Sequence, residues 1–348
     1  MFEPLIHPWN QEVWQQLTLE PERSNHALLI HGDKGLGKQD IATSLAHFVL
    51  TDNHTQSASL FNAGSHPDLH VIMPEALSEE YKSSNDPRLD LISSYSNRYL
   101  EPHSGKPRKT ITIDQIRKLS SALVTHPHIS KFRIILIFAA NTMNRNAANA
   151  LLKSLEEPPA NTLFLIVSDE ISVLPKTIRS RCSLVGLKAP DRNSASAWLA
   201  LQNIIPDTEL DTYLSIANNH PLRAIELFKS DYLVSLKAVL TDINHLWMRR
   251  IDVTNAAKKW QTLGASTSLD ILYKLAVDLL RFQLSDSPPD IYFPVQRSWV
   301  SSSSKKVKRE CLIRLIDELN HSKSLLATTV DELLVLETMA ERAHSLPI

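Results

Sequence analysis

Residues 32–39 read GDKGLGKQ, a glycine-rich run that ends on a lysine. In a phosphate-binding loop, backbone N–H groups wrap the phosphates, the lysine reaches the terminal ones, and a hydroxyl on the next residue holds Mg²⁺. Gly32, Gly35, Gly37 and Lys38 meet the first two demands. Gln39 stands where the hydroxyl is needed, and an amide is a poor magnesium ligand beside it. Taken alone, the loop fits a bound nucleotide and an empty turn between strand and helix equally well. Hydrolysis needs a second, acidic half: an Asp at the end of a buried strand to hold the metal, and usually a Glu to position the attacking water. The strand that would carry them is RIILIF at 133–138, yet neither Ala139 and Ala140 nor NTMNRN at 141–146 contains a carboxylate. Without metal ligands and base, the positioning and charge neutralisation that drive phosphoryl transfer are missing, and no hydrolysis is expected. Arg181, in SRC at 180–182, is read either as a surface or salt-bridged arginine or as a guanidinium presented in trans to a phosphate on another subunit.

The elements that must position these residues are legible from periodicity. ALLIH at 27–31 is a short buried strand, and KQDIATSLAHFVL after the loop sets Ile41, Leu45, Phe48 and Val49 at helical spacing. Further strands are expected at LHVIM (69–73), TITI (110–113), FRIILIFAA (132–140), TLFLIV (162–167) and CSLVGL (182–187), with helices over Asp114–Leu123 and Asn146–Leu155. Such alternation predicts a mostly parallel sheet covered on both faces. The polar stretch 76–109 reads as a long surface excursion with a basic patch at Lys106, Arg108 and Lys109. After Pro190 no buried strand is expected. Helices continue over 191–230 and 232–348, with Leu269, Leu272, Leu275 and Leu279 on one apolar face. SDSPPDIYFP at 285–294 breaks them, and SSSSKKVKRE at 301–310 reads as a solvated approach to the last helices.

Composition narrows the classes. The 348 residues carry a formal net charge of -1, so no global basic field draws the chain to DNA or an anionic membrane. Two distant cysteines, Cys182 and Cys311, exclude a disulfide scaffold and a four-thiolate zinc site. No apolar run has the length of a membrane span and the N-terminus lacks a signal-peptide pattern, which points to the cytoplasm. Seven glycines serve the whole chain, and three of them are Gly32, Gly35 and Gly37, concentrated where the backbone must turn tightly.

HALLIHGDKGLGK, HPHISKFRIILIFAANTMNRNAANALLKSLEEPP and LPKTIRSRC together resemble the bacterial clamp-loader branch of the AAA+ ATPases over roughly residues 20–190. DELLVLETM at 331–339 resembles the final collar helix of that family. The resemblance implies a P-loop AAA+ α/β domain at 1–189, a small helical lid at 190–231 and an all-α collar at 232–348. It implies a stationary subunit without ATPase activity, helping to load a sliding clamp onto primed DNA in a hetero-oligomeric ring with motor subunits and a delta-like subunit. Arg181 would be an arginine finger in trans, Ser168 matches the sensor 1 position, and Arg223 in NHPLRAIEL the sensor 2 arginine, with His220 where a glycine is usual. No cofactor is required, although ATP or ADP in the degenerate loop stays open. The four zinc cysteines common after the first helix of the family are absent, so no structural zinc is expected, and His54, His66 and His70 are left with ordinary polar contacts. The basic patches at 106–109 and 305–309 are read as solvated loops rather than DNA contacts. The alternatives are an active AAA+ motor, or a DNA-binding adaptor outside the clamp loader.

Overall fold

The computed structural model describes residues 2–19, 26–51, 55–101, 105–326 and 330–346. The chain divides into two compact units, Met1–Ala189 and Pro190–Ile348. The first is α/β with a parallel sheet and the second is all-helical, as the alternation of apolar runs and helical spacing predicts. No helix among the described residues is long and apolar enough to cross a membrane.

The sheet of the first unit contains β1 (Ala27–His31), β2 (Leu69–Ile72), β3 (Arg133–Ile137), β4 (Thr162–Ser168) and β5 (Ser183–Gly186). Its order is β2-β3-β4-β1-β5, and every pairing is parallel. Parallel neighbours need crossovers, which the helices supply. After α1 (Gln11–Leu19), which precedes the first strand, these are α2 (Lys38–Thr51), α3 (Thr55–Asn62), α4 (Glu75–Ser83), α5 (Pro87–Ser96), α6 (Ile113–Ala122), α7 (Arg145–Glu156) and α8 (Lys176–Arg179). Successive strand residues point to opposite faces. Leu28, Ile30, Ile134 and Leu136 therefore enter one core with Ile41 and Leu45 of α2. Leu29, Ile135 and Ile137 enter the other with Ile116 of α6 and Leu151 of α7. Burial on both faces is why these strands read as unbroken apolar runs.

Three expectations are corrected. TITI is not a strand. Thr112 caps α6: its hydroxyl accepts from the Gln115 N–H while the Gln115 side chain accepts from the Thr112 N–H. That reciprocal box overrides the β-branched composition. The stretch 76–109 is not a surface excursion, because α4 and α5 lie within it and bury Tyr81, Ile92 and Tyr95 against the sheet. Three of its serines are internal: the Ser78 hydroxyl meets those of Ser93 at 2.8 Å and Ser96 at 2.9 Å, so these polar groups are satisfied without solvent. SSSSKKVKRE is not uniformly solvated: Ser302 is exposed, and Val307 turns inward among exposed lysines. Ser303 and Ser304 are buried, while Lys305, Lys306 and Lys308 are exposed.

The second unit contains α9 (Arg192–Gln202), α10 (Asp207–Ile216), α11 (Pro221–Lys229), α12 (Tyr232–Trp247), α13 (Val253–Thr262), α14 (Ala265–Leu284), α15 (Arg297–Ser304), α16 (Arg309–Leu325) and α17 (Glu332–His344). One apolar cluster runs through it from Ala195 to Leu346. The expected break after α14 is present, and the Asp278 carboxylate anchors it by accepting the N–H groups of Tyr292 and Phe293, each at 3.0 Å.

Candidate functional site

The glycine loop sits between β1 and α2, and its glycines are required by the backbone. Gly32 has φ +143° and a Cβ there would come within 2.8 Å of the Leu187 carbonyl oxygen. Gly37 has φ +80° and a Cβ there would come within 2.5 Å of the His7 ring. Gly35, at φ +88°, completes the bend. The N-terminal segment packs onto the loop. Trp9 Nε1 and Asn10 Nδ2 donate to the Leu36 carbonyl at 3.0 and 2.8 Å, and His7 Nε2 lies 2.9 Å from the Asp40 carboxylate.

Lys38 is only 4% exposed, and its ammonium is already engaged. Nζ donates to the Asp33 carbonyl at 2.6 Å and pairs with Asp169 Oδ1 at 2.7 Å. Asp169 follows β4, whose last residue Ser168 pairs with His31 at the end of β1, and this register brings the carboxylate to the loop. The sequence shows SDE at 168–170, but nothing local marks Asp169 as the partner of Lys38. Beside Gln39, a cavity of about 20 Å³ is lined by Asp40, Tyr81, Arg88 and Phe138, enough for about one water. The end of β3 offers no acid. Ala139 is left-handed at φ 51°, and Asn141 Oδ1 accepts from the Asp169 N–H at 3.4 Å. The Ser168 hydroxyl is buried and donates to the Glu170 carbonyl at 3.0 Å.

Among the described residues, no group of three His, Cys, Asp or Glu is arranged to hold a metal ion. His66 Nε2 meets the Ser57 hydroxyl at 2.6 Å, and His70 Nδ1 meets the Tyr99 hydroxyl. His54 lies outside the described residues. Asp68, beside His66, fixes the HPHIS loop by accepting the N–H groups of His128, Ile129 and Ser130 at 2.6, 2.8 and 2.8 Å. Burial pushes its carboxyl up, but the three donors outweigh burial and hold it below the usual carboxylate range.

Arg181 lies in the turn between α8 and β5. Its Nη2 pairs with Glu156 Oε1 at 2.5 Å, its Nη1 donates to the Thr177 carbonyl at 2.9 Å, and its side chain is 33% exposed. The two candidate groups lie at opposite ends of β5. Arg181 precedes the strand, whereas Leu187, just after it, donates its N–H to the His31 carbonyl at 2.8 Å beside the loop. Roughly 15–20 Å of extended chain separates them. An arginine side chain does not span that distance, so Arg181 does not reach the loop of its own chain. In the second unit, Arg223 lies in the first turn of α11 and pairs with Glu226 at 2.7 Å.

The family described as "DNA polymerase III, delta subunit" matches residues 9–191, and that described as "DNA polymerase III, delta subunit, C terminal" matches residues 230–342. The chain is 26% identical over 355 residues to DNA polymerase III subunit delta' of Pseudomonas aeruginosa, an alignment covering 98% of each chain. It is 28% identical over 254 residues to subunit delta' of Haemophilus influenzae, covering 70% of this chain and 68% of that one. Among solved structures, a DNA polymerase III gamma subunit-related protein of Thermotoga maritima aligns over 95% of this chain and 98% of its own, with 16% identity and a TM-score of 0.45.

Proposed function

Because the chain belongs to the DNA polymerase III delta-subunit family, we propose that it acts as a delta prime-type clamp-loader subunit that hydrolyses no nucleotide itself and lends Arg181 to an ATP site on a neighbouring motor subunit. The observation that carries this reading is the separation along β5: an arginine that does not reach its own loop serves a phosphate only in trans. The loop side supports it. Lys38 is neutralised by Asp169, Gln39 replaces the magnesium hydroxyl, and β3 ends without a carboxylate. In this reading the loop is a structural turn that needs neither ATP nor ADP, and no zinc is needed. Residues 190–231 act as a lid and 232–348 as a collar, joining motor subunits and a delta-like subunit in the ring that places the clamp on primed DNA. Arg223 then has a structural role, held by Glu226.

The test is reconstitution of the chain with motor subunits, delta-like subunit, clamp and primed DNA, followed by ATP turnover. Arg181→Ala should remove the share of turnover from the adjoining site without dissolving the complex, since an arginine finger is worth roughly 10³–10⁵ at the site it serves. Lys38→Met should leave turnover unchanged. Full activity of the Arg181→Ala assembly would overturn the reading, and so would a loss on Lys38→Met in an intact complex.

A further inference from the structure

We propose that Glu156 is a latch for Arg181, holding the guanidinium on its own chain until a phosphate on the neighbouring subunit displaces the carboxylate; this rests on the trans role of Arg181 proposed above. Glu156 is the last residue of α7 and Glu157 is its C-cap. A carboxylate there faces the negative end of the helix dipole, a position that favours cations. Arg181 supplies that cation at 2.5 Å, across the gap between the end of α7 and the turn after α8. The same guanidinium is fixed from below by the Thr177 carbonyl at 2.9 Å. Glu156 and Thr177, with the Ser180 hydroxyl at 3.5 Å, thus orient the group.

Carboxylate and phosphate compete for the same planar fork, so Arg181 does not make its full set of bonds to both. Glu156 is 48% exposed and Arg181 33%, and an ion pair so accessible to water is weak. A terminal phosphate, with more charge and more acceptor oxygens, outcompetes it at contact. In its absence the carboxylate keeps the finger from idle engagement. Glu156 is a positioning residue: it touches Arg181 and never the nucleotide.

This arrangement makes an unusual prediction, because removing the partner of a functional arginine should raise activity. In the reconstituted assembly, basal ATP turnover without clamp or DNA is compared with clamp-and-DNA-stimulated turnover. Glu156→Gln should raise the basal rate by about two- to fivefold, the range an exposed pair allows, and leave the stimulated rate unchanged. Glu156→Asp keeps the charge and should raise the basal rate less than Glu156→Gln. The double variant with Arg181→Ala should behave as Arg181→Ala alone. An unchanged or lowered basal rate in Glu156→Gln, or an equal rise with Asp and Gln, would overturn the latch. If Arg181→Ala itself has no effect, the trans role fails first, and the two failures are told apart by that control.

Discussion

His70 shows how one side chain ties the fold to solution conditions. It lies on β2, 7% exposed, with Nδ1 against the Tyr99 hydroxyl and no hydrogen-bond partner at Nε2 among the described residues. Burial, then the nearby Arg133 guanidinium, pushes its pKa down from 6.5 to about 4. The unfolded chain takes up this proton near pH 6.5 and the folded chain does so only near 4. Between those values the unfolded state binds more protons, so stability is fully present above pH 6.5 and is lost as pH falls toward 4. The shift corresponds to about 3 kcal/mol. His47 and His66, also lowered by burial, add to the same slope. Urea midpoints at neutral pH and near pH 5 should therefore differ, and His70→Gln should shrink the difference because glutamine keeps a polar group without titrating. A variant with the full acid sensitivity of the parent chain would show that His70 is not the source.

At the scale of elements, what the sequence revealed followed from burial. β1, β3 and β4 are apolar on both faces, so their extents were legible to within three residues. The helices α4 and α5 were hidden because their buried faces include Ser78, Ser93 and Ser96, which satisfy one another and mimic the composition of a loop. The candidate site was legible in its glycines, its missing acids and Arg181. It was not legible in Asp169 and Glu156, because partners brought together by sheet register leave no local pattern. Thr112 gives a direct test of the one strand misread. As a strand residue, Thr112→Val would be neutral or favourable, since both side chains suit a pleated surface. As the N-cap of α6, the same change deletes the hydroxyl that accepts from Gln115 and should cost about 1 kcal/mol. Chemical denaturation of the intact protein separates the two, and a variant as stable as the parent would argue against the cap.

For the molecule as a whole, the second unit raises the question of whether lid and collar act as one body. Their apolar side chains belong to one cluster, with Leu199, Leu214 and Leu227 from the proposed lid and Trp260, Leu275 and Leu336 from the proposed collar. A half-buried polar group reinforces the collar beside the boundary. The Asp270 carboxylate on α14 accepts from the Tyr232 hydroxyl at 3.0 Å, from Lys274 at 2.7 Å and from Lys323 at 3.4 Å, joining α12, α14 and α16. Tyr232 opens the helix that follows α11, and the Arg223 charge is felt by both Tyr232 and Lys274. A shared core makes partial unfolding expensive, because opening either part exposes apolar surface of the other. Residues 190–348 expressed alone should therefore unfold in one transition, with coincident curves from far-ultraviolet dichroism and from tryptophan fluorescence. In single-tryptophan variants, with the remaining tryptophans replaced, Trp198 on α9 reports the lid and Trp260 on α13 the collar. Asp270→Asn weakens its attraction for two cations and should move both reporters together by about 1–3 kcal/mol. Two separated transitions, or a Trp198 signal indifferent to Asp270→Asn, would mean that the lid melts on its own. The single body matters for the proposed role, since a subunit that braces a ring must resist the force that a moving neighbour applies to it.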